Sequence, residues 1–383
     1  MKFVFASDSF KGSLSSEKIN DILTSVAHRH FPDAETAAIL TADGGEGTVD
    51  AVLAGTGGER VCVSVHDPLG RPIEASYGRI SERCAIVEMA AASGLPLLSD
   101  RERNPLFTST FGTGELIAHA LDHGATEITI AIGGSATNDG GMGAMCALGV
   151  TFFDADGNPL SGIGADLEKV ADIDLSGLHP RVKDTRFTVM CDVNNPLVGE
   201  RGATFVFGPQ KGATPEIAER LEAGMKHYAE VIERTLGISV ATTAGAGAAG
   251  GLGAALLVFL GATMKSGIDT LLDLIEFDSL LRDADFVITG EGRMDSQSAC
   301  GKVACGVGLR SKDAGVPAFA IVGGMGQGAE AIYDCGISSI LPTVNAPMPL
   351  ANAIERAEEL YENAADRLFR LIKATKGDQN ERN

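Results

Sequence analysis

The stretch 284–308, ADFVITGEGRMDSQSACGKVACGVG, indicates the class of fold. Its apolar start predicts a buried strand over 286–290, and the alternating glycines that follow predict a turn leading into a helix. The turn carries Glu291, Arg293 and Asp295. Because ligands of open α/β sheets bind outside the carboxyl ends of the strands, this turn is a candidate site for a phosphorylated ligand and its metal.

The same strand, turn and helix rhythm recurs at both ends of the chain. Residues 1–58 contain two such pairs, and three more follow after residue 281. If these five strands pair in one sheet, they predict an α/β fold with a five-stranded doubly wound parallel sheet, built from residues 1–80 and 282–383. The middle, 81–281, is then an inserted α/β domain of mixed character, since an inserted domain leaves the ends of its host close together.

Composition limits the classes of function. The 383 residues carry a net charge of −20, which argues against a nucleic-acid partner and requires local donors to capture an anionic ligand. Seven cysteines without a C-x-x-C pair indicate reduced thiols and a cytoplasmic protein. Residues 241–264 are the least charged stretch, and their Gly-rich first half favours a core helix over a membrane span.

Polar clusters follow the two N-terminal strands. In SDSFKGS, Asp8 could hold a metal or a substrate hydroxyl, Lys11 could reach a phosphate, and Ser9 lies beside them. The alternative is a helix entry with a surface salt bridge. In TADGGEGT, Asp43 and Glu46 suit either a ligand turn or a capping box with Asp43 as N-cap.

Three Gly-rich loops precede helices, where backbone N–H groups can bind anions. TSTFGTGELI spans 108–117, and GGSATNDGGMG spans 133–143 with several hydroxyl and amide side chains. GAGAAGGLGAAL spans 245–256 but lacks a preceding β-branched strand, so it is not a dinucleotide fingerprint. A helix N-terminus against phosphate, or close helix packing, remains open for this third loop.

The segment 191–213 contains two further candidates, a carboxylate and an ammonium group. Asp192 ends a hydrophobic strand and suits a base that accepts a hydroxyl proton, while Lys211 suits charge neutralisation on a phosphoryl group. A turn-forming aspartate and a solvated lysine are the alternative. The sequence has no P-loop, no H-E-x-x-H, no zinc spacing and no G-x-S-x-G elbow. The remaining acids, lysines, serines and glycines fit phosphoryl transfer.

Taken together, these motifs resemble those of the bacterial glycerate kinase family, the two-domain type unrelated to P-loop glycerate kinases. The resemblance is carried by DSFKGSLS, ADGGEGT, TSTFGTGELI, GGSATNDGGMG, CDVNNPL, FGPQKGA, GAAGGLGAAL and ITGEGRMDSQSACGK, over about residues 3 to 370. It implies a Rossmann-like or flavodoxin-like domain from both chain ends, an inserted domain and an active site in the cleft between them.

The resemblance also implies ATP-dependent, Mg²⁺-assisted phosphorylation of D-glycerate. The expected product is 2-phosphoglycerate, and phosphorylation of the 3-hydroxyl stays open. Rival hypotheses are a non-catalytic small-acid binding or sensor protein and a kinase that forms an acyl phosphate. No membrane partner is expected, and the oligomeric state, a homo-oligomer included, is left open.

The hypothesis assigns a role to each candidate residue. In catalysis, Asp192 is the base with Asp8 next, and Lys11 and Lys211 neutralise charge. Arg293 clamps the carboxylate of glycerate, and Lys302 is either a phosphate ligand or a helix-surface residue. The other assignments are Ser9 and Asn138 for substrate, Gly133, Gly134, Ser135, Thr137, Gly250 and Gly251 for ATP, and Glu291, Asp295 and Asp43 for Mg²⁺.

Overall fold

The computed structural model describes residues 1–42, 44–299 and 301–380, with side chains as far as residue 375. The chain divides into two compact units. Unit 1 comprises Met1–Asp43, Ala54–Thr56 and Ile268–Asn383, and unit 2 comprises Gly44–Leu53 and Gly57–Gly267.

The strands and helices are numbered along the chain. The strands are β1 Lys2–Ser7, β2 Glu35–Ala38, β3 Glu59–His66, β4 Pro72–Arg79, β5 Cys84–Glu88, β6 Glu127–Ala131, β7 Thr151–Phe153, β8 Asp172–Asp174, β9 Arg186–Met190, β10 Thr263–Lys265, β11 Phe286–Met294, β12 Ala318–Met325 and β13 Ile337–Pro342. The helices are α1 Ser16–His30, α2 Thr48–Thr56, α3 Ala90–Ser93, α4 Phe111–Asp122, α5 Met142–Ala147, α6 Ala203–Phe207, α7 Pro215–Leu236, α8 Leu252–Leu260, α9 Gly267–Leu274, α10 Phe277–Leu281, α11 Val303–Asp313, α12 Leu350–Glu355 and α13 Ala357–Asn380. Short 3₁₀ turns lie at Leu95–Leu97, Gly164–Lys169, Pro180–Asp184, Pro209–Lys211, Ala248–Gly251 and Ala329–Tyr333.

Unit 1 contains a parallel sheet whose described strands follow the order β13-β12-β11-β1-β2. Numbered along unit 1, this is the 2-1-3-4-5 order of flavodoxin-like sheets. Phe3 and Phe5 of β1 pack in one core cluster with Leu23 of α1 and Phe369 of α13. The predicted α/β class and doubly wound parallel sheet are therefore confirmed.

Unit 2 contains a mixed sheet whose described strands follow the order β10-β9-β6-β5-β4-β3. The hairpin β3–β4 is antiparallel, as its sequence suggests, and β4 also pairs antiparallel with β5, whereas β5, β6, β9 and β10 run parallel. The expected boundaries at 80 and 281 differ from the observed ones. The hairpin belongs to unit 2 because Tyr77 of β4 is buried in the core of that sheet, and Ile268–Leu281 belong to unit 1.

The apolar stretch 241–264 contains the 3₁₀ turn Ala248–Gly251 and helix α8. Leu252 and Leu256 are fully buried in the core of unit 2. Among the described residues, no helix combines the length and the apolar character that crossing a bilayer requires.

Candidate active site

One candidate site lies where the strand order of unit 1 reverses, at the carboxyl ends of β1 and β11. The backbone N–H of Asp8 donates to the carbonyl of Gly290 over 2.9 Å, which ties the end of β1 to β11. The Asp8 carboxylate then accepts the N–H of Ser9 over 2.7 Å and turns the chain. Lys11 lies exposed in the tight loop that follows, before Gly12 with φ +79°.

Glu291 belongs to β11 itself, because this strand runs to Met294 rather than ending at 290. The extension pairs Glu291 with Val322 of β12 and holds the glutamate at the strand end. Its side chain is 10% exposed, with Oε2 3.9 Å from Nζ of Lys302. Burial raises the pKa of Glu291, with Asp8 and Asp295 adding to the shift and Ser298 and Lys302 opposing it. Glu291 therefore lies among charges supplied by both ends of the chain.

Arg293 and Asp295 lie just beyond. The Arg293 side chain is 76% exposed, and its Nε is 3.9 Å from Oδ2 of Asp295. Asp295 accepts the N–H of Gln297 over 3.0 Å and so begins the turn after β11. The guanidinium is consequently open to a ligand, while the aspartate is partly used by its own turn.

A cavity of about 520 Å³ joins these residues. Its lining includes Asp8, Ser9, Lys11, Glu291 and Arg293. Lys302 lines the same cavity, so it is a candidate site residue as well as the N-cap of α11. Two motifs from opposite ends of the chain thus meet at the position where doubly wound sheets bind ligands.

The fit of Mg²⁺ depends on Glu291. Its Oε1 atom is buried and has no hydrogen-bond partner among the described residues, so this oxygen is available to a cation. Within the described part of the chain, no group of three or more His, Cys, Asp or Glu residues could hold a metal. Asp43, the third predicted ligand, lies outside the described residues. A carboxylate site completed by water and phosphate oxygens remains compatible with Mg²⁺.

In unit 2, the loop 133–143 connects β6 to α5 around the fully buried Asp139. Its Oδ2 accepts the N–H and the hydroxyl of Thr110, each over 2.7 Å, and the N–H of Gly143 over 3.2 Å. Burial raises the pKa of Asp139, and these hydrogen bonds oppose the shift. The anion at the start of α4 is therefore the protein's own carboxylate, which corrects the expectation of a ligand site in 108–117.

The glycines at 250 and 251 pack against this loop. The N–H of Gly140 donates to the carbonyl of Gly250 over 3.0 Å. A Cβ on Gly250 would lie 2.0 Å from the carbonyl oxygen of Thr137, and a Cβ on Gly251 would lie 2.7 Å from Cα of Gly140. Of the two interpretations of this third loop, close packing is the one that the structure shows.

The predicted ATP residues of loop 133–143 differ in burial. Gly134 is exposed and Gly133 is half-buried, whereas Ser135 is 7% exposed. Thr137 and Asn138 are completely buried, and Nδ2 of Asn138 donates to Oγ1 of Thr204 over 3.1 Å. Only the start of the loop therefore faces solvent.

Lys211 is buried rather than solvated. The side chain is 1% exposed, and Nζ donates to the carbonyl oxygen of Thr137 over 2.6 Å. Burial lowers the pKa of Lys211 to about 7, and the nearby charge of Asp139 opposes the shift. Lys211 thus supports the backbone of the glycine loop from inside unit 2.

Asp192 lies exposed after β9, also in unit 2. One carboxylate oxygen, Oδ1, accepts the N–H of Gly267 over 2.8 Å, at the first residue of α9. The aspartate is thereby oriented at the carboxyl end of a strand of the unit 2 sheet.

Sequence reasoning missed Glu88, the last residue of β5. It is buried and accepts the N–H groups of Gly47 and Val49, each over 3.3 Å, and burial raises its pKa. Helix α2 consequently starts after Gly47, which is its N-cap in place of the expected Asp43. The available signal was an acid at the carboxyl end of a buried strand.

The fold and the charged cavity define an α/β protein with a candidate ligand site at the switch point of the unit 1 sheet. Comparison with known proteins narrows the class. The glycerate kinase family matches residues 3–373. The chain therefore belongs to the glycerate kinase family.

Individual relatives cover almost the whole chain. A glycerate kinase from Bacillus subtilis is 45% identical over 98% of this chain and 99% of its own length. A glycerate 2-kinase from Escherichia coli is 45% identical, with 98% of both chains covered. A crystal structure assigned as glycerate kinase 2 from Salmonella typhimurium superposes with a TM-score of 0.87 at 44% identity, over 98% of this chain and 99% of that one.

Proposed function

We propose that the chain phosphorylates D-glycerate with ATP and releases 2-phospho-D-glycerate and ADP. The observation that carries this proposal is the cavity at the switch point of unit 1, lined by three cations and two carboxylates in a member of the glycerate kinase family. The product assignment follows the relative named as a glycerate 2-kinase. The 3-hydroxyl is the alternative acceptor.

The reaction forms one bond between the hydroxyl oxygen of glycerate and the γ-phosphorus, and it breaks the bond from that phosphorus to ADP. The hydroxyl proton passes to a carboxylate. Asp192 is the first candidate for this base because it is exposed at a strand end of unit 2. Asp8 is the second, because it lines the charged cavity of unit 1.

Both substrates are anions and the chain has a net charge of −20, so local cationic side chains are needed to bind them. Lys11 provides an exposed ammonium group for a phosphoryl oxygen. The planar guanidinium of Arg293 can bind the carboxylate of glycerate through two hydrogen bonds. Ser9, which also lines the cavity, can hydrogen-bond a substrate hydroxyl.

Glu291 and Asp295 are the residues that would hold Mg²⁺. The bound ion would supply neutralisation of negative charge on the phosphate oxygens. The buried Oε1 of Glu291 supports this assignment.

The proposed roles of the candidate residues in unit 2 depend on whether they are accessible or buried. Gly133 and Gly134 remain candidates for the phosphates of ATP because they form the accessible start of their loop, and Ser135, which is buried, directly follows them. We give Thr137, Asn138, Lys211, Gly250 and Gly251 a supporting role, because they are buried in packing or in hydrogen bonds within unit 2. The described cysteines are free thiols, which supports a cytoplasmic enzyme.

A coupled assay with purified protein, ATP, Mg²⁺ and D-glycerate tests the proposal. Enolase alone should yield phosphoenolpyruvate, because enolase consumes 2-phosphoglycerate. A signal that also needs a phosphoglycerate mutase would assign the 3-hydroxyl. Trapping by hydroxylamine would indicate an acyl phosphate, and no turnover of ATP would favour a binding protein.

A further inference from the structure

The cavity of unit 1 has an apolar side that glycerate does not explain. Around its rim lie Met325 at the end of β12 and, on helix α12, Leu350 and Ile354. These three side chains are 46%, 75% and 43% exposed. Together with Val344 they are called the apolar wall. Such a group of exposed apolar residues around one cavity indicates a binding surface.

The sheet order separates the apolar wall from the charges. Asp8 follows β1 and Glu291 lies in β11. In the apolar wall, Met325 ends β12 and the other three residues follow β13, and β12 and β13 are the next two strands in the sheet. On α12, Leu350 and Ile354 are four residues apart and so lie on one face of the helix. The cavity therefore has a charged end and an apolar end.

Only one of the two proposed substrates matches both ends. Glycerate has three carbons, each bearing a carboxylate or a hydroxyl, and offers no apolar face. ATP carries charged phosphates at one end and a flat purine at the other. The volume of about 520 Å³ also lies within the ~300–1,000 Å³ of sites for larger ligands.

We infer that the apolar wall of unit 1 binds the purine ring of ATP, with the phosphates directed toward Lys11 and Lys302, which line the same cavity. This inference rests on the proposed function and specifies which part of the molecule receives the nucleoside. The glycines of unit 2 do not enter it.

Calorimetric titration with ADP and, separately, with inorganic tripolyphosphate tests the inference. The double variant Leu350→Ser, Ile354→Ser should raise the Kd for ADP about tenfold or more, since apolar contact with the base is lost. The Kd for tripolyphosphate, which has no base, should stay unchanged. The matched control is Leu309→Ser, Leu371→Ser, two apolar residues of unit 1 that are 43% and 61% exposed, and it should leave both Kd values unchanged.

Three outcomes would overturn the inference. One is an ADP affinity that the wall variant leaves within twofold of the wild type. Another is an equal loss of tripolyphosphate affinity. The third is a wild-type dimer in size-exclusion chromatography that the wall variant dissociates, because a second copy would then cover the surface. Turnover of D-glycerate by the wild type is scored separately, so failure of the proposed function stays distinguishable.

A second measurement needs no variant. Photolabelling of the wild type with an azido-adenine analogue of ATP should modify peptides within 343–357, which contain Val344, Leu350 and Ile354. Excess ADP should prevent the labelling. Labelling confined to unit 2 would contradict the inference.

Discussion

The Oε2 atom of Glu291 lies 3.9 Å from Nζ of Lys302, while the other carboxylate oxygen of Glu291 is buried without a hydrogen-bond partner among the described residues. An unsatisfied buried acceptor is costly, so a cation is expected to complete it. Glu291→Gln should therefore lower kcat by ~10²-fold or more and raise the Mg²⁺ concentration for half-maximal rate. Steady-state rates over a Mg²⁺ titration measure both. The exposed Glu330→Gln is the control, and an unchanged Mg²⁺ dependence would remove Glu291 from this role.

Arg293 is expected to set the affinity for glycerate. Its guanidinium is exposed, 3.9 Å from Oδ2 of Asp295, and its planar group can form two hydrogen bonds with a substrate carboxylate. Arg293→Met should raise the KM for D-glycerate by roughly 10- to 100-fold and the KM for ATP much less. Arg293→Lys should recover little, because an ammonium group cannot form the planar fork. A rise in the KM for ATP alone would contradict the assignment, and the exposed Arg101→Met serves as control.

The two candidate bases can be separated. Asp192→Asn keeps an oxygen for the N–H of Gly267 but loses the proton acceptor, so kcat should fall by ~10²-fold or more if Asp192 is the base. The same measurement on Asp8→Asn tests the alternative. An effect below about threefold on kcat excludes a residue from general base catalysis. Thermal unfolding of both variants, and of the exposed Asp184→Asn, controls for folding.

The packing of Gly250 predicts a stability effect. In Gly250→Ala the new Cβ would meet the Thr137 carbonyl at 2.0 Å, at a φ of +68°. Strain and overpacking together should lower the free energy of unfolding by roughly 2–5 kcal/mol. Gly237 has a similar φ of +71° with open space around it, so Gly237→Ala should cost only about 1 kcal/mol. Urea unfolding compares the two, and equal losses would show that packing is not the cause.

Lys211 predicts a pH dependence of stability. Burial lowers its pKa from 10.5 to about 7 in the folded chain. Between these values the unfolded chain binds a proton that the folded chain lacks, so the contribution of Lys211 to the free energy of unfolding rises with pH. Asp139, whose charge opposes this shift, is unchanged in every variant compared, so it does not account for a difference between them. Lys211→Met should lose this rise when urea unfolding is measured at pH 7 and pH 9, while the exposed Lys183→Met should keep it. Parallel pH curves for Lys211→Met and the wild type would contradict the prediction.

Much of the fold could be predicted because parallel strands and their helices have local patterns. Apolar runs identified β1, β6 and β11, the last two followed by glycine turns, and the carboxyl ends of such strands are where ligands bind. The hairpin β3–β4 was recognised as a hairpin but assigned to the wrong domain. Its partner β5 follows it closely in sequence, yet nothing local states which sheet the pair joins.

The stretch 284–308 also shows which features the sequence determines and which ones depend on the tertiary structure. Its sequence determined a buried strand, a charged turn and a helix, because these follow from apolar runs, glycines and charges within a few residues. Only the tertiary structure decided that Glu291 lies within the strand, since pairing with Val322 of β12 extends it. Only the tertiary structure could decide that Asp8 and Glu291 share a cavity and that Lys211 is buried. Burial and proximity depend on residues far away in the chain, so no local pattern contains them.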